Sequence, residues 1–278
     1  MESLVSLTEL DLSHNDLKDS GVQLLVARLR SPHCKLQTLR LADCKLTEES
    51  CKAVASAMET LVSLTELDLS NNDLKDSGVQ PLSAGLSSPQ CKLQTLRLSG
   101  CLITHEGCSL FNSALKSNPS FLKQLDLSYN HPGDSGVREL TERLNDPNSK
   151  LETFRYDSGG KCRIKPGPRK YACELTLDPN TAHRRLSLSE GNRKVTRVDQ
   201  QQPYPDHPER FDSFSQVLCR EVLTGRCYWE FESSGGWVFI AVAYKSTPRT
   251  QRSGIDSEFG FNGKSWRLDC SVFLCQIT

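Results

Sequence analysis

The chain has 278 residues, with 34 basic and 34 acidic side chains and a formal net charge of zero. Neutrality, with 16 basic and 20 acidic residues in 1–155 and the opposite excess beyond, removes the electrostatic case for a nucleic-acid binder. No apolar run approaches the roughly 18 residues of a membrane span, and the length suits about two domains.

The first feature along the chain is repetition. Residues 4–22 and 61–79 differ only at His14 against Asn71, and CKLQTLRL occurs at 34–41 and again at 91–98. The frame is L-x-x-L-x-L-x-x-N/C, starting at Leu7, Leu36, Leu64, Leu93 and Leu122, with a degenerate copy at Leu151. Successive starts lie 28 or 29 residues apart, a period that suits one strand and one helix per unit. Each short strand, such as Leu10–Leu12, sends alternate side chains inward. The ninth position is Asn15, Cys44, Asn72, Cys101 and Asn130. A buried Asn there can bond the backbone where the chain leaves the strand, and Cys offers a small side chain with a weak S–H donor. After the strand, Asp19 or Ser20 is expected to cap a helix with Val22, Leu25, Val26 and Leu29 on its apolar face. Thr47 is expected to cap the next, with Cys51, Val54, Ala55 and Met58 inward. Strands stack about 4.8 Å apart whereas helices need about 10 Å, so the array curves with its strands on the concave side.

On the outward side of the strands, the residue between the second and third leucines is Asp11, Arg40, Asp68, Arg97, Asp126 and Arg155. Acid and base alternate across neighbouring strands, close enough to pair laterally. These six are the candidate concave-face binding residues. Two readings stand: a self-satisfied ladder that sets repeat register, or a stripe that exchanges internal pairs for contacts to a partner.

Twelve cysteines raise the question of disulfides. Cys34, Cys44 and Cys51 recur 57 residues later as Cys91, Cys101 and Cys108, so they occupy repeated slots and are expected to be reduced core thiols. No C-x-x-C or paired Cys/His spacing suggests zinc; His105-Glu106 opens an H-E-x-x-H pattern, but Ser109 stands where its second His would be. No histidine sits in a nucleophile–base motif. No catalytic, cofactor or metal residue is assigned.

Near residue 157 the leucine frame ends. Residues 157–172 are rich in Gly, Pro and basic residues and read as a linker. Strands are expected at Cys173–Leu177, Leu186–Leu188, Lys194–Val198, Cys227–Glu232 and Val238–Ala243, separated by turn clusters at 178–181, 190–192, 203–208 and 233–236. Short strands with regular turns argue an antiparallel sandwich. Trp229, Trp237 and Trp266 are expected to pack in its core.

Residues 1–156 resemble the leucine-rich repeats of ribonuclease inhibitor and of NOD-like receptors, on their alternating 28- and 29-residue units and their Asn/Cys ninth positions. LTLDPNTAHRRLSLSE (175–190), DQQQPYPDHPERFDSFSQVL (199–218), GRCYWEFE (225–232) and FGFNGKSWRLDC (259–270) resemble a PRY segment running into a SPRY domain. Ala241 stands where that family commonly has Gly. The implied organisation is repeats over 1–156, linker 157–172, PRY 173–222 and a truncated SPRY 223–278. The implied fold class is an α/β solenoid, with parallel strands on the concave face and helices on the convex face, followed by an incomplete all-β sandwich. This order resembles the C-terminal part of the NOD-like receptors expanded in fishes, and the opening in mid-repeat and the early stop mark a fragment. With no G-x-x-x-x-G-K-S/T loop, no nucleotide is expected to bind. The implied protein is a cytoplasmic, non-enzymatic module that recognises a protein or microbial ligand in innate immunity. It takes no cofactor, nucleic acid or membrane span, and its oligomeric state is undefined. Its SPRY ligand loops would be 200–208 and 233–236. The rival implications are the substrate-reading end of a tripartite-motif ubiquitin ligase and an inhibitor of the ribonuclease-inhibitor type.

Overall fold

A computed structural model describes residues 6–31, 34–118, 121–157, 161–234, 238–249 and 256–270. Trp237, part of the 233–236 loop and the first residues of the opening half-repeat lie outside them. The chain divides into two compact units, Met1–Tyr171 and Ala172–Thr278, described separately below.

The first unit is built from six three-residue strands in one parallel sheet. They are β1 (Glu9–Asp11), β2 (Thr38–Arg40), β3 (Glu66–Asp68), β4 (Thr95–Arg97), β5 (Gln124–Asp126) and β6 (Thr153–Arg155), in chain order. Between them run α1 (Lys18–Leu29), α2 (Cys51–Thr60, entered through a 3₁₀ turn at Glu48–Ser50), α3 (Lys75–Ser87), α4 (His105–Ser117) and α5 (Gly133–Leu144). Pairing is in step at every seam, so Leu10, Leu39, Leu67, Leu96, Leu125 and Phe154 form one inward row. The leucines from β2 to β5 are fully buried. Leu41, Leu69, Leu98 and Leu127 make a second buried row, and the helices close the core with Val22, Val26, Leu29, Val54, Met58, Val79, Leu82 and Phe111. Leu25 is only partly buried.

The recurring Asp-Ser-Gly-Val of 19–22, 76–79 and 134–137 opens a helix in every second unit. Its glycine marks a close approach: a Cβ on Gly78 would lie 2.8 Å from Cys51 Sγ, and one on Gly136 2.9 Å from Cys108 Cβ. The aspartate does not cap its own helix. α1 begins at Lys18 without a side-chain cap, and Asp19 instead accepts from Thr47 N at 2.9 Å and Thr47 Oγ1 at 2.8 Å in the next unit. Asp76 does the same for Thr104, at 2.9 and 2.7 Å. Thr47 caps as expected, accepting from Glu49 N at 3.3 Å. Thr104 likewise accepts from Glu106 N, so His105 and Glu106 form an ordinary helix start.

The ninth-position slot works as its chemistry suggests. Asn72 Oδ1 accepts from Cys44 N and Leu46 N, each at 3.0 Å, while its Nδ2 donates to Leu41, Leu69 and Ser70 carbonyls at 2.9, 2.8 and 3.3 Å. Asn130 repeats the pattern two units later. Cys44 and Cys101 supply only the donor half, through Sγ to Leu12 O at 3.1 Å and Leu69 O at 3.2 Å.

The repeat cysteines Cys34, Cys44, Cys51, Cys91, Cys101 and Cys108 are thiols. Burial pushes Cys51, Cys101 and Cys108 up to about 12 from an ordinary 9.0. They should therefore resist iodoacetamide at pH 8 in the folded chain and react once it is unfolded, which mass mapping of alkylated cysteines reads directly. Because the folded thiols hold their protons where the unfolded ones release them, their contribution to stability is full below pH 9 and is lost from pH 9 towards 12. The melting temperature should be flat across this contribution up to pH 8 and then fall. Rapid alkylation of Cys101 at pH 8 would contradict its burial.

Among its described residues the second unit holds two antiparallel pairs. β7 (Leu186–Ser189) pairs with β8 (Lys194–Arg197) across the left-handed turn Glu190–Gly191–Asn192, and β9 (Val238–Ala243) pairs with β10 (Ser265–Cys270). Ala182, Leu186 and Phe211 are buried, Phe211 meets Phe259 edge-on at 5.3 Å, and Arg249 lies over Phe211 at 4.7 Å. Two expected strands are absent as ladders. Among the described residues, Cys173–Leu177 and Cys227–Glu232 contribute only the isolated bridges Ala172↔Tyr228 and Leu177↔Cys219. Thr176 gives its N–H and hydroxyl to the Glu221 carboxylate, both at 2.7 Å, so that donor is taken from any neighbouring strand. The tryptophan expectation is also corrected. Trp266 is 62% exposed, against Tyr244 at 6.0 Å, and Trp229 is half-buried. Trp266 shares a face of the β9–β10 pair with Val242 opposite it, and both are exposed.

Candidate recognition surface

A three-residue strand with its central leucine buried must turn its first and third residues outward. The array therefore presents two rows. The third-position row is Asp11, Arg40, Asp68, Arg97, Asp126 and Arg155, brought into direct register across the seams. The first-position row is Glu9, Thr38, Glu66, Thr95, Gln124 and Thr153. The same period-2 rule that identified the third-position row would have found this one.

The second row changes the pairing. Arg40 does not pair with the aspartates beside it; its guanidinium bonds Glu9 and lies 3.2 Å from Glu66 Oε1. Arg97 reaches the same Glu66 oxygen at 2.5 Å. The aspartates turn back to their own chain, Asp11, Asp68 and Asp126 each accepting from the backbone N–H two residues on, at 2.9 Å. A local Asx turn uses a backbone donor already held by the chain, whereas lateral pairing would have to order two side chains. Glu66 is the hub of this face. Burial raises its carboxyl, but the Arg97 hydrogen bond and the charges of Arg97 and Arg40 outweigh that and hold it below the ordinary 4.5. The Ser13 backbone N–H keeps Asp11 low, and the Glu9 hydrogen bond raises Arg40 further. Asp11, Arg40 and Glu66 are thus each held towards their charged forms.

Towards the last repeats the rows surround a shallow depression of about 50 Å³, lined by Thr95, Arg97, Gln124, Asp126, Thr153 and Arg155. Its chemistry is that of a polar docking surface: fixed charge of both signs, hydroxyls and amide groups on a rigid base.

The repeat geometry and sequence agree with a family match. A leucine-rich-repeat model matches residues 3–26, 33–55, 60–83 and 118–140, and the model of the SPRY-associated domain, PRY, matches 175–223. The chain is a leucine-rich-repeat protein with a PRY domain. Over 154 residues, 55% of this chain, it is 47% identical to NACHT, LRR and PYD domains-containing protein 12 of Mus musculus, covering 14% of that protein. It is 41% identical to ribonuclease inhibitor of Sus scrofa over 61% of this chain and 36% of that protein, and 42% identical to that of Mus musculus over 83% and 46%. The chain thus spans less than half the length of each of these relatives. The combination of repeats and PRY fits a NOD-like receptor, and the repeats support a role in protein recognition. No helix among the described residues of this leucine-rich-repeat protein is long and apolar enough to cross a membrane.

Proposed function

We propose that this chain is the recognition part of a cytoplasmic NOD-like receptor of innate immunity. Its concave face binds a protein or microbial ligand through Glu9, Asp11, Arg40, Glu66, Asp68, Arg97, Asp126 and Arg155, without chemistry on that ligand. The observation that supports this most is Glu66. One carboxylate shared between Arg40 and Arg97 sits on strands whose leucines are wholly buried, so the charges stand on a base that does not yield. These pairs are half-buried at the surface and still reached by solvent, where ion pairs contribute little, about 0–1 kcal/mol when fully exposed, so they can exchange partners. Residues 173–222 would form the PRY segment, which carries a second candidate surface at 200–208, and 223–278 would form a SPRY portion, residues 157–172 linking them to the repeats.

Reversing Arg97 to Glu tests the face. The new acid would stand in register between Asp68 and Asp126 and lose its bond to Glu66. Proteins captured from cytosolic extract by the native chain should bind the variant at least tenfold more weakly, while the melting temperature moves by only a few degrees. An unchanged captured set, quantified by mass spectrometry, would remove the concave face from the proposal.

The likeness to ribonuclease inhibitor over most of this chain favours a second reading, an enzyme inhibitor. Titration against a pancreatic-type ribonuclease separates the two: saturable inhibition at nanomolar levels overturns the receptor reading.

A further inference from the structure

The backbone turns left-handed just after each of the first five strands, at His14 (φ 61°), Asp43 (54°), Asn71 (62°), Gly100 (64°) and Tyr129 (56°). Four of these carry side chains, so the conformation by itself does not call for glycine. Gly100 answers to a different demand. A Cβ there would lie 2.6 Å from the Tyr171 hydroxyl, and the Gly100 carbonyl accepts from Lys170 Nζ at 2.7 Å.

Lys170 and Tyr171 belong to the Gly/Pro-rich segment that reads as a linker. In the structure it forms two short 3₁₀ turns, Lys161–Ile164 and Gly167–Tyr171, seated on the rim where the chain leaves β3, β4 and β5. Lys170 is 3% exposed. Its ammonium also meets Asp73 Oδ1 at 2.7 Å and Asn72 O at 3.4 Å. Tyr171 donates its hydroxyl proton to Asn71 Oδ1 at 2.5 Å and sets its ring edge-on to Tyr129 at 5.6 Å. Gly167 N donates to Asp73 Oδ2 at 3.3 Å. Arg163 donates to the Lys170 carbonyl at 2.9 Å and lies over the Tyr129 ring at 4.9 Å.

A buried ammonium is tolerated only where acceptors surround it. Here they are one carboxylate and two carbonyls drawn from two successive repeats. The leucine and asparagine ladders set the positions of those carbonyls, and Lys170 takes no part in either ladder. The carbonyl part of the seat is therefore set by the repeats and not by Lys170. We infer that the rim formed by Asn71, Asn72, Asp73, Gly100 and Tyr129 is a lysine–tyrosine recognition site, occupied in cis by Lys170–Tyr171. Its ligand class is a basic peptide segment in which a lysine precedes an aromatic residue. The tethered copy competes at an effective concentration of order millimolar, so a second segment enters only when the first is displaced. This inference is independent of the concave-face reading.

A fluorescent peptide of residues 163–171 tests it by anisotropy on the full chain. The double variant Lys170→Ala/Tyr171→Ala, which empties the seat, should bind the peptide saturably and at least tenfold more tightly than the native chain does. Adding Gly100→Asn should abolish that binding while the repeats still melt cooperatively, because Asn71 already holds the same conformation one repeat earlier. Equal binding by native and emptied chains, or binding that survives Gly100→Asn, overturns the inference. A second measurement needs no emptied variant. Trypsin should cut the Lys170–Tyr171 bond at least tenfold faster in the Gly100→Asn chain than in the native one, and equal rates likewise overturn the site.

Discussion

Replacing Leu67 with Asp should abolish the cooperative melt of the repeat array. Leu67 is fully buried at the centre of the sheet, with Leu39 and Leu96 in register on either side and both buried. Truncation alone, as Leu67→Ala, should cost about 2–5 kcal/mol from lost burial and the residual cavity. An aspartate adds a carboxyl that finds no donor, and a total stability of about 5–15 kcal/mol leaves little to absorb it. Since each unit contacts only its neighbours, the loss should spread along the stack from β3 in both directions. Hydrogen exchange should show protection vanishing from β2, β3 and β4 together. A variant that melts like the native chain would mean that these leucines do not interlock.

The second large effect is expected at Asn72. Asn72→Ala leaves Cys44 N and Leu46 N without their acceptor in the interior, and deprives the Leu41, Leu69 and Ser70 carbonyls of a donor. Each stranded buried group costs about 1–3 kcal/mol, so two amides alone imply about 2–6 kcal/mol. Asn15 offers the contrast. It is exposed in the first unit and bonds only the Leu12 and Ser13 carbonyls, which water can reach. Asn15→Ala should cost no more than about 1 kcal/mol. Urea denaturation of the two variants reads the difference, and equal losses would show that the ladder bonds of Asn72 carry no stability beyond a surface turn.

Most of the first unit was legible before any coordinates. The inward leucines, the Asn and Cys slots and the Thr47 cap all follow from positions within one repeat, where periodicity and side-chain chemistry act locally. Asp19 misled for the opposite reason. As a helix-start residue it looks like a cap, yet its partner is Thr47, 28 residues on, and only stacking brings the two together. The outward charges failed in the same way. Alternating Asp and Arg suggested lateral pairs, but the aspartates had a nearer donor in their own backbone, and Glu66 stood free to take both arginines. In the second unit the strands β7, β8 and β9 were readable from alternation and turn residues, whereas β10 was reached only through the family resemblance of 259–270. The burial of Trp266 was not, since it depends on whether a further layer covers that face.

The sequence by itself determined the length of each unit, which residues face the core and which rows face outward. Those properties repeat every 28 or 29 residues, and the backbone's own geometry enforces them. Only the tertiary structure decided which acid each arginine grips and where Lys170 comes to rest. Both depend on groups 26 to 98 residues apart meeting in space, and no periodic pattern encodes such a meeting.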